Sequence, residues 1–296
     1  MKRRGFSQHS VGGVRVVQEG RIGGVESDGA WVGHDGMLAV ILRTVKPSTI
    51  EEVVADLGTV VDDARVRRDR LGLFAALYRR TTIVVQRGIE AGRFEDPERM
   101  EELDVRFAQR YFDALAAFTG GGVPTRPWAY AFERSAESEP SVLQHLLLGM
   151  NAHIAFDLAI ASCETSPGSE LAALEGDYMT INRLLAEMVD AVQADVNRTS
   201  PWLARLDRWG GPVDERLAAS FLAHARRWAW RKAERFAVLP ASEQAAWLDR
   251  WERQVEALAR RICPPPGHRW RALPAAAQRL GGTREGDVPD LLDAIA

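Results

Sequence analysis

The chain has 296 residues, 46% hydrophobic and 27% charged, with a formal net charge of −3, an ordinary globular composition long enough to bury a sizeable core. So small an acidic balance gives no general reason to expect nucleic acid or an anionic membrane as a partner. The Arg-rich stretches "RRDR" and "ARRWAWRKAER" are bounded by acids or interleaved with apolar residues, as solvated helix faces are. Cys163 and Cys263 show no metal-ligand or redox spacing. No uninterrupted apolar run approaches the ~18–20 residues of a membrane span, and "MKRRGFSQHSVGG" lacks the apolar core of a signal peptide. The expected compartment is the cytoplasm.

Residues 1–36 hold nine of the 25 glycines without a strand or helix period. This predicts a poorly ordered N-terminal segment or an over-long start ahead of Met37, with a short β excursion at "VRVVQEG" as the structured alternative. From Ser48 onward the pattern is helical. "PSTIEEVVADLGTVVDDA" has Ser48 or Thr49 as N-cap and apolar Ile50, Val53, Val54, Leu57, Val60 and Val61 at helical spacing. "LGLFAALYRRTTIVVQRGIEAG" repeats that spacing through Phe74, Leu77, Tyr78, Thr81, Val85 and Ile89 and stops at Gly92. "EDPERMEELDVRFAQRYFDALAAFTGGG" starts on Asp96 and Pro97 and ends in three glycines. The prolines of "VPTRPWAYAFERSAESEPS" suggest a connecting loop with at most a short helix around Trp128. Further helices follow in "HLLLGMNAHIAFDLAIA" (145–161), in the segments beginning Ser169 and Val213, and in one from Ser242 that Pro264–Pro266 terminate. The expected fold is all-α: one helical bundle of about seven main helices over 38–263, with loose tails at 1–36 and 264–296, the latter carrying at most a docking helix from Val288.

The segment 145–161 is mostly Ala, Ile, Leu, Met and Phe, yet it carries His145, Asn151, His153 and Asp157. On a buried helix an unpartnered polar group costs roughly 1–3 kcal/mol. At about 100° per residue His153 and Asp157 share a face one turn apart, whereas His145 lies about 12 Å away along the axis. Other helices show the same anomaly. Asp104 falls on the stripe of Met100, Ala108 and Tyr111, Asp177 on that of Ile181 and Leu184 with Asn182 beside it, and Arg226 on that of Leu222 and Ala233. Each alone is accounted for by a satisfied core pair or an interhelical tie, and Trp128 by core packing. Together they predict a polar centre, because a buried ion cluster is a weak source of stability and such clusters are enriched at functional sites.

The segments "FAALYRRTT", "FEDPERMEELDVRFAQRYFDAL", "HLLLGMNAHIAFDLAIA", "GDYMTIN" and "ARRWAWRKA" occur in this order and resemble an uncharacterised, largely actinobacterial family known only as a domain of unknown function. The resemblance covers about residues 48–237, with "LLLGMNAHI" followed by Asp157 its most specific part. It implies a shared helical domain and places His145, Asn151, His153, Asp157, Asp104, Asp177 and Arg226 at motif positions. It implies no chemistry.

Three functions compete. In the first, an enzyme binds a divalent zinc, iron or manganese ion through His153, Asp157, Asp104 and Asp177, although no HExxH or Glu-x-x-His signature is present. In the second, a metal-free isomerase or cyclase of secondary metabolism uses His153, oriented by Asp157, as base. His145 then serves as acid, Arg226 steadies an anionic group, and Asn151, Asn182, Tyr111 and Trp128 contact a small apolar substrate. In the third, the polar centre of a non-catalytic protein fixes helix register or holds a ligand. Serine- and cysteine-nucleophile chemistry is not expected, since Gly-x-Ser-x-Gly and any local partner for the cysteines are lacking.

Overall fold

The computed structural model describes residues 46–199, 213–265 and 285–295, with side chains over 46–185, 223–265 and 286–295. The segment 1–36, the start at Met37 and most of the tail 264–296 lie outside the described residues. A compact unit spanning His34–Ala296 holds every described helix. Among the described residues there is no strand, and the domain is all-α.

Helix α1 (Ile50–Arg67) is capped by Thr49, whose hydroxyl accepts the Glu52 N–H at 3.3 Å. The Glu52 carboxylate in turn accepts the backbone N–H and hydroxyl of Ser48. This reciprocal box satisfies donors that a helix start leaves without partners. The buried stripe of α1, Val53, Leu57, Val60, Val61 and Ala64, lies along α2 (Gly72–Glu90). Gly72 permits that approach: a Cβ there would fall 2.3 Å from the Ala64 Cβ. Helix α2 ends where Gly92 turns left-handed, at φ 64°, and the N–H groups of Gly92 and Arg93 close its last turn. Asp96 then caps α3 (Pro97–Thr119) through the Arg99 N–H, with Pro97 in the first turn.

The stretch expected as a connecting loop with a short helix around Trp128 carries a ten-residue helix there, α4 (Arg126–Ser135). Its Pro127 sits in the first turn, where the missing N–H costs nothing, and Trp128, Tyr130, Ala131 and Phe132 bury one face. Ser141 and Gln144 form a capping box that opens α5 (Val142–Ala152). The rod then changes pitch. His153–Asp157 is a π-helical turn, closed by the i→i+5 bond from the Leu158 N–H to the His153 carbonyl, before α6 (Leu158–Thr165) resumes. Helices α7 (Leu171–Thr199), α8 (Val213–Ala237) and α9 (Ala241–Ile262) follow. A final α10 (Val288–Ile295) docks Val288 and Leu292, both fully buried, against α1 and α2.

The α5–π–α6 rod is the hub of this arrangement. Helix α2 packs against α5, α3 and α8 against α6 and the π turn, and α4 and α9 against α5. That explains the apolar composition. Val142–Thr165 has the length and composition of a membrane-crossing helix, yet 78% of its most apolar window is buried inside the protein, which is how the central rod of a bundle passes the same test.

Candidate functional site

Four elements converge on the π turn. Helix α2 presents Phe74, Tyr78 and Thr82 at i, i+4 and i+8, one face by helical geometry. Helix α3 presents Asp104, Phe107 and Tyr111, with Arg110 at the edge of that stripe, and α4 presents Trp128. Gly149 in α5 makes the wall close: its missing Cβ would stand 2.4 Å from two ring carbons of Phe74.

The His153 imidazole sits inside this shell with 2% exposure. Phe107 stacks on it at 3.5 Å and 8°, and Tyr78 meets it edge-on at 4.4 Å. Phe74, Trp128 and Tyr111 complete the surround at 5.6, 5.9 and 6.2 Å. Asp157, one turn along, is equally buried and held from two sides. Its Oδ2 accepts the Trp128 indole N–H at 2.7 Å, and its Oδ1 accepts Arg110 Nε at 3.1 Å. Arg110 is also paired with Glu164 at 3.4 Å. The same Oδ2 lies 3.5 Å from His153 Nδ1, at the outer limit of hydrogen-bond geometry, and favours the protonated ring.

Burial dominates the electrostatics. It pushes the His153 pKa down, opposed by Asp157 and reinforced by Arg110, so the ring is neutral at pH 7. Burial, helped by the nearby Glu101 charge, raises Asp104 to about 7, so this carboxyl holds a proton for much of the time at neutral pH. Tyr78 is raised well above its ordinary value by burial and then by the carboxylates of Asp104 and Asp157. Tyr111 is raised by burial and by Asp69. The Thr82 hydroxyl hydrogen-bonds the Tyr78 phenol and so eases that shift. Tyr111 Oη, Asp104 Oδ2 and His153 Nε2 have no partner in hydrogen-bond geometry. Buried polar atoms without partners are rare in folded proteins, and these three belong to one cluster.

The remaining expected residues lie elsewhere. His145 is buried beside Arg70 and Arg134 and hydrogen-bonds the Pro140 carbonyl; burial and those two cations lower it to about 4. Asn151 donates to the Val255 carbonyl at 3.0 Å and ties α5 to α9. Asp177 accepts the N–H groups of Glu95 and Asp96 at 2.7 and 3.0 Å, bracing the approach to α3. Arg226 donates to Asn182 at 2.6 Å and to the Tyr178 carbonyl at 3.2 Å, with its guanidinium 4.6 Å over the Tyr178 ring. The expectation of one shared centre is therefore corrected. His153, Asp157, Asp104, Tyr111 and Trp128 come together, whereas His145, Asn151, Asp177, Asn182 and Arg226 act as ties between other elements.

The expected metal ligand set does not assemble either. Among the described residues no three His, Cys, Asp or Glu side chains form a group that could hold an ion, and both oxygens of Asp177 accept backbone N–H groups away from His153. His153 and Asp157 offer only one nitrogen and one carboxylate, where zinc takes at least three protein ligands.

Sequence reasoning missed Phe74, Tyr78, Thr82 and Phe107 as site residues because they sit on ordinary apolar stripes. A search for hydroxyls on such stripes finds Tyr78 and Thr82. Arg110, the guanidinium that does reach Asp157, carries no distinguishing local signal.

Fold and site together define a class: an all-α domain whose central rod breaks into a π turn to hold a buried imidazole–carboxylate pair in an aromatic shell. The chain belongs to a family of unknown function, DUF5995, whose profile matches residues 50–265. Searches of curated proteins and of solved structures give no match.

Proposed function

We propose that this protein is an enzyme that acts on a small, largely apolar molecule by metal-free acid–base chemistry, with His153 as the proton-transferring group and Asp157 as its orienting partner. One observation carries this reading: a neutral imidazole in the protein interior has no hydrogen-bond partner at Nε2, while its Nδ1 faces an anchored carboxylate 3.5 Å away. Leaving that nitrogen unmatched costs about 1–3 kcal/mol, so stability is a poor reason to keep the residue. A neutral imidazole with a free lone pair is what a general base needs. Asp157 stabilises the imidazolium that forms on proton uptake, and the Trp128 and Arg110 hydrogen bonds keep the carboxylate from turning away. The aromatic walls suit an apolar substrate, and Phe107, stacked on the ring at 3.5 Å, is a side chain that has to move to admit one.

A second reading, a non-catalytic bundle with a structural polar core, is favoured by the ties made by Asn151, Asp177 and Arg226. Substituting His153→Phe separates the two. The enzyme reading expects a melting temperature equal to or above that of the wild type, and loss of any small-molecule-induced stabilisation found by screening. A loss of several degrees in that variant, at roughly 2–4 °C per kcal/mol for a domain of this size, assigns the imidazole to structure and overturns the enzyme reading.

A further inference from the structure

The shell contains a second set of polar groups that the His153–Asp157 pair does not use. Asp104 Oδ2 is buried without a partner on α3, and the Tyr78 phenol is buried on α2, where the Thr82 hydroxyl hydrogen-bonds it and the Asp104 charge reaches it. Tyr78 touches His153 directly at 4.4 Å between centroids, and Asp104 lies one helical turn before Phe107, the ring stacked on His153. A phenol and a protonated carboxylic acid buried on the helices that flank the imidazole are both hydrogen-bond donors. In water neither would hold an anion, but where water is excluded such a pair stabilises developing oxyanion charge.

We infer that Tyr78 and Asp104 form an oxyanion-binding pair, and that the substrate class is an apolar carbonyl compound whose α-carbon loses a proton to His153. This inference rests on the acid–base reading above and adds the electrophilic half of the site. The step balances without a cofactor. The α C–H bond breaks, the proton goes to a nitrogen of His153, and the C–H electron pair forms the carbon–carbon double bond of an enolate. The carbonyl π pair moves onto oxygen, where Tyr78 and Asp104 donate hydrogen bonds to it. Return of the proton from His153 to a different carbon of the same conjugated system gives an isomer and regenerates the neutral imidazole. Asp104 is the stronger donor of the two while it stays protonated. Thr82, on the turn beyond Tyr78, is placed to orient the phenol.

The probe is p-nitrophenol, a planar phenol whose ionised form mimics an enolate and absorbs at longer wavelength than the neutral form. Wild-type protein is expected to bind it as the phenolate below the pH at which the free probe ionises, with tenfold or greater loss of affinity in Tyr78→Phe and in Asp104→Asn, the size of a hydrogen bond to a charged group. An infrared band of a protonated carboxyl at pH 6, absent from Asp104→Asn, is the accompanying signature and does not depend on binding. Probe bound only as neutral phenol, or equal affinity in the wild type and both variants, overturns the oxyanion pair while leaving His153 as a base. No binding at all, together with a lower melting temperature of His153→Phe, overturns the acid–base reading itself and this inference with it.

Discussion

Two buried polar regions of this bundle use the same kinds of side chain to opposite ends. Around Arg226 the groups are consumed. The guanidinium donates to Asn182 and to the Tyr178 carbonyl, and the Tyr178 hydroxyl donates back to the Arg226 carbonyl at 2.7 Å, so α7 and α8 are fastened to each other. Around His153 the carboxylate is held as tightly, Asp157 by an indole and a guanidinium, but the imidazole Nε2 at the centre is left unmatched. A polar group that has found its partners is explained by the fold. Single unmatched atoms occur elsewhere too, on His145, Asn151 and Trp230. The difference teaches that burial does not distinguish site from tie; the gathering of unmatched atoms around one ring does.

The sharpest way to break this comparison is to remove the anchor. Asp157→Ala leaves the Trp128 N–H without its acceptor and Arg110 with Glu164 alone, and a loss of about 2–3 kcal/mol is expected, read from the urea midpoint at unchanged slope. If that variant were as stable as the wild type, the indole and guanidinium would not be anchoring the carboxylate. Arg226→Met tests the opposite region. Removing a guanidinium that is fully engaged is expected to lose about 2 kcal/mol, hydrogen bonds to a charged donor offset in part by a well-packed apolar chain. A stabilised Arg226→Met variant would make the two regions alike. Gly149→Ala pushes a methyl group into Phe74 and is expected to lose about 1–2 kcal/mol, because the overpacking exceeds the gain in helix propensity. The near-ultraviolet circular dichroism of the shell should shift with it.

The smallest net effect concerns pH. Asp104 is about 7 in the folded chain against 3.8 ordinarily, so its contribution to stability is full below about pH 4 and is lost as the pH rises through 7. His145, lowered to about 4 from 6.5, contributes above 6.5 and loses that contribution as the pH falls toward 4, and His153 is shifted in the same direction. These slopes oppose one another, so wild-type stability should change little between pH 4 and 7. Asp104→Asn should expose a stability that rises with pH across that window; a flat profile in the variant would show that Asp104 is not raised.

Much of the fold was legible because capping and periodicity are local. Thr49, Asp96 with Pro97, and Gly92 mark helix ends where they were expected. The α4 segment was obscured by Pro127, a residue that opens a helix as readily as it ends one. Periodicity also identified Asp104, His153, Asp157 and Arg226 as inward-facing, and all four are buried. What stands opposite an inward residue is a tertiary fact. Arg226 therefore belonged to a different interior from the one expected, and Arg110 went unnoticed. On α2 the wheel favoured Thr81, whereas Thr82 is the fully buried one. The π turn was invisible for a simpler reason: a reading at 3.6 residues per turn has no place for an i→i+5 bond.

That turn makes the chemistry separable from the scaffold. A widened turn of this kind amounts to one surplus residue inserted into a continuous α-helix, so excising a single position, Ala155 for instance, would let α5 run straight into α6 with both flanks keeping the faces they offer to their neighbours. Such a shortened chain would still assemble as a bundle, but the imidazole and carboxylate, now three positions apart, would meet Phe107, Trp128 and Arg110 at a changed angle. One codon thus sets the pitch on which the aromatic shell closes.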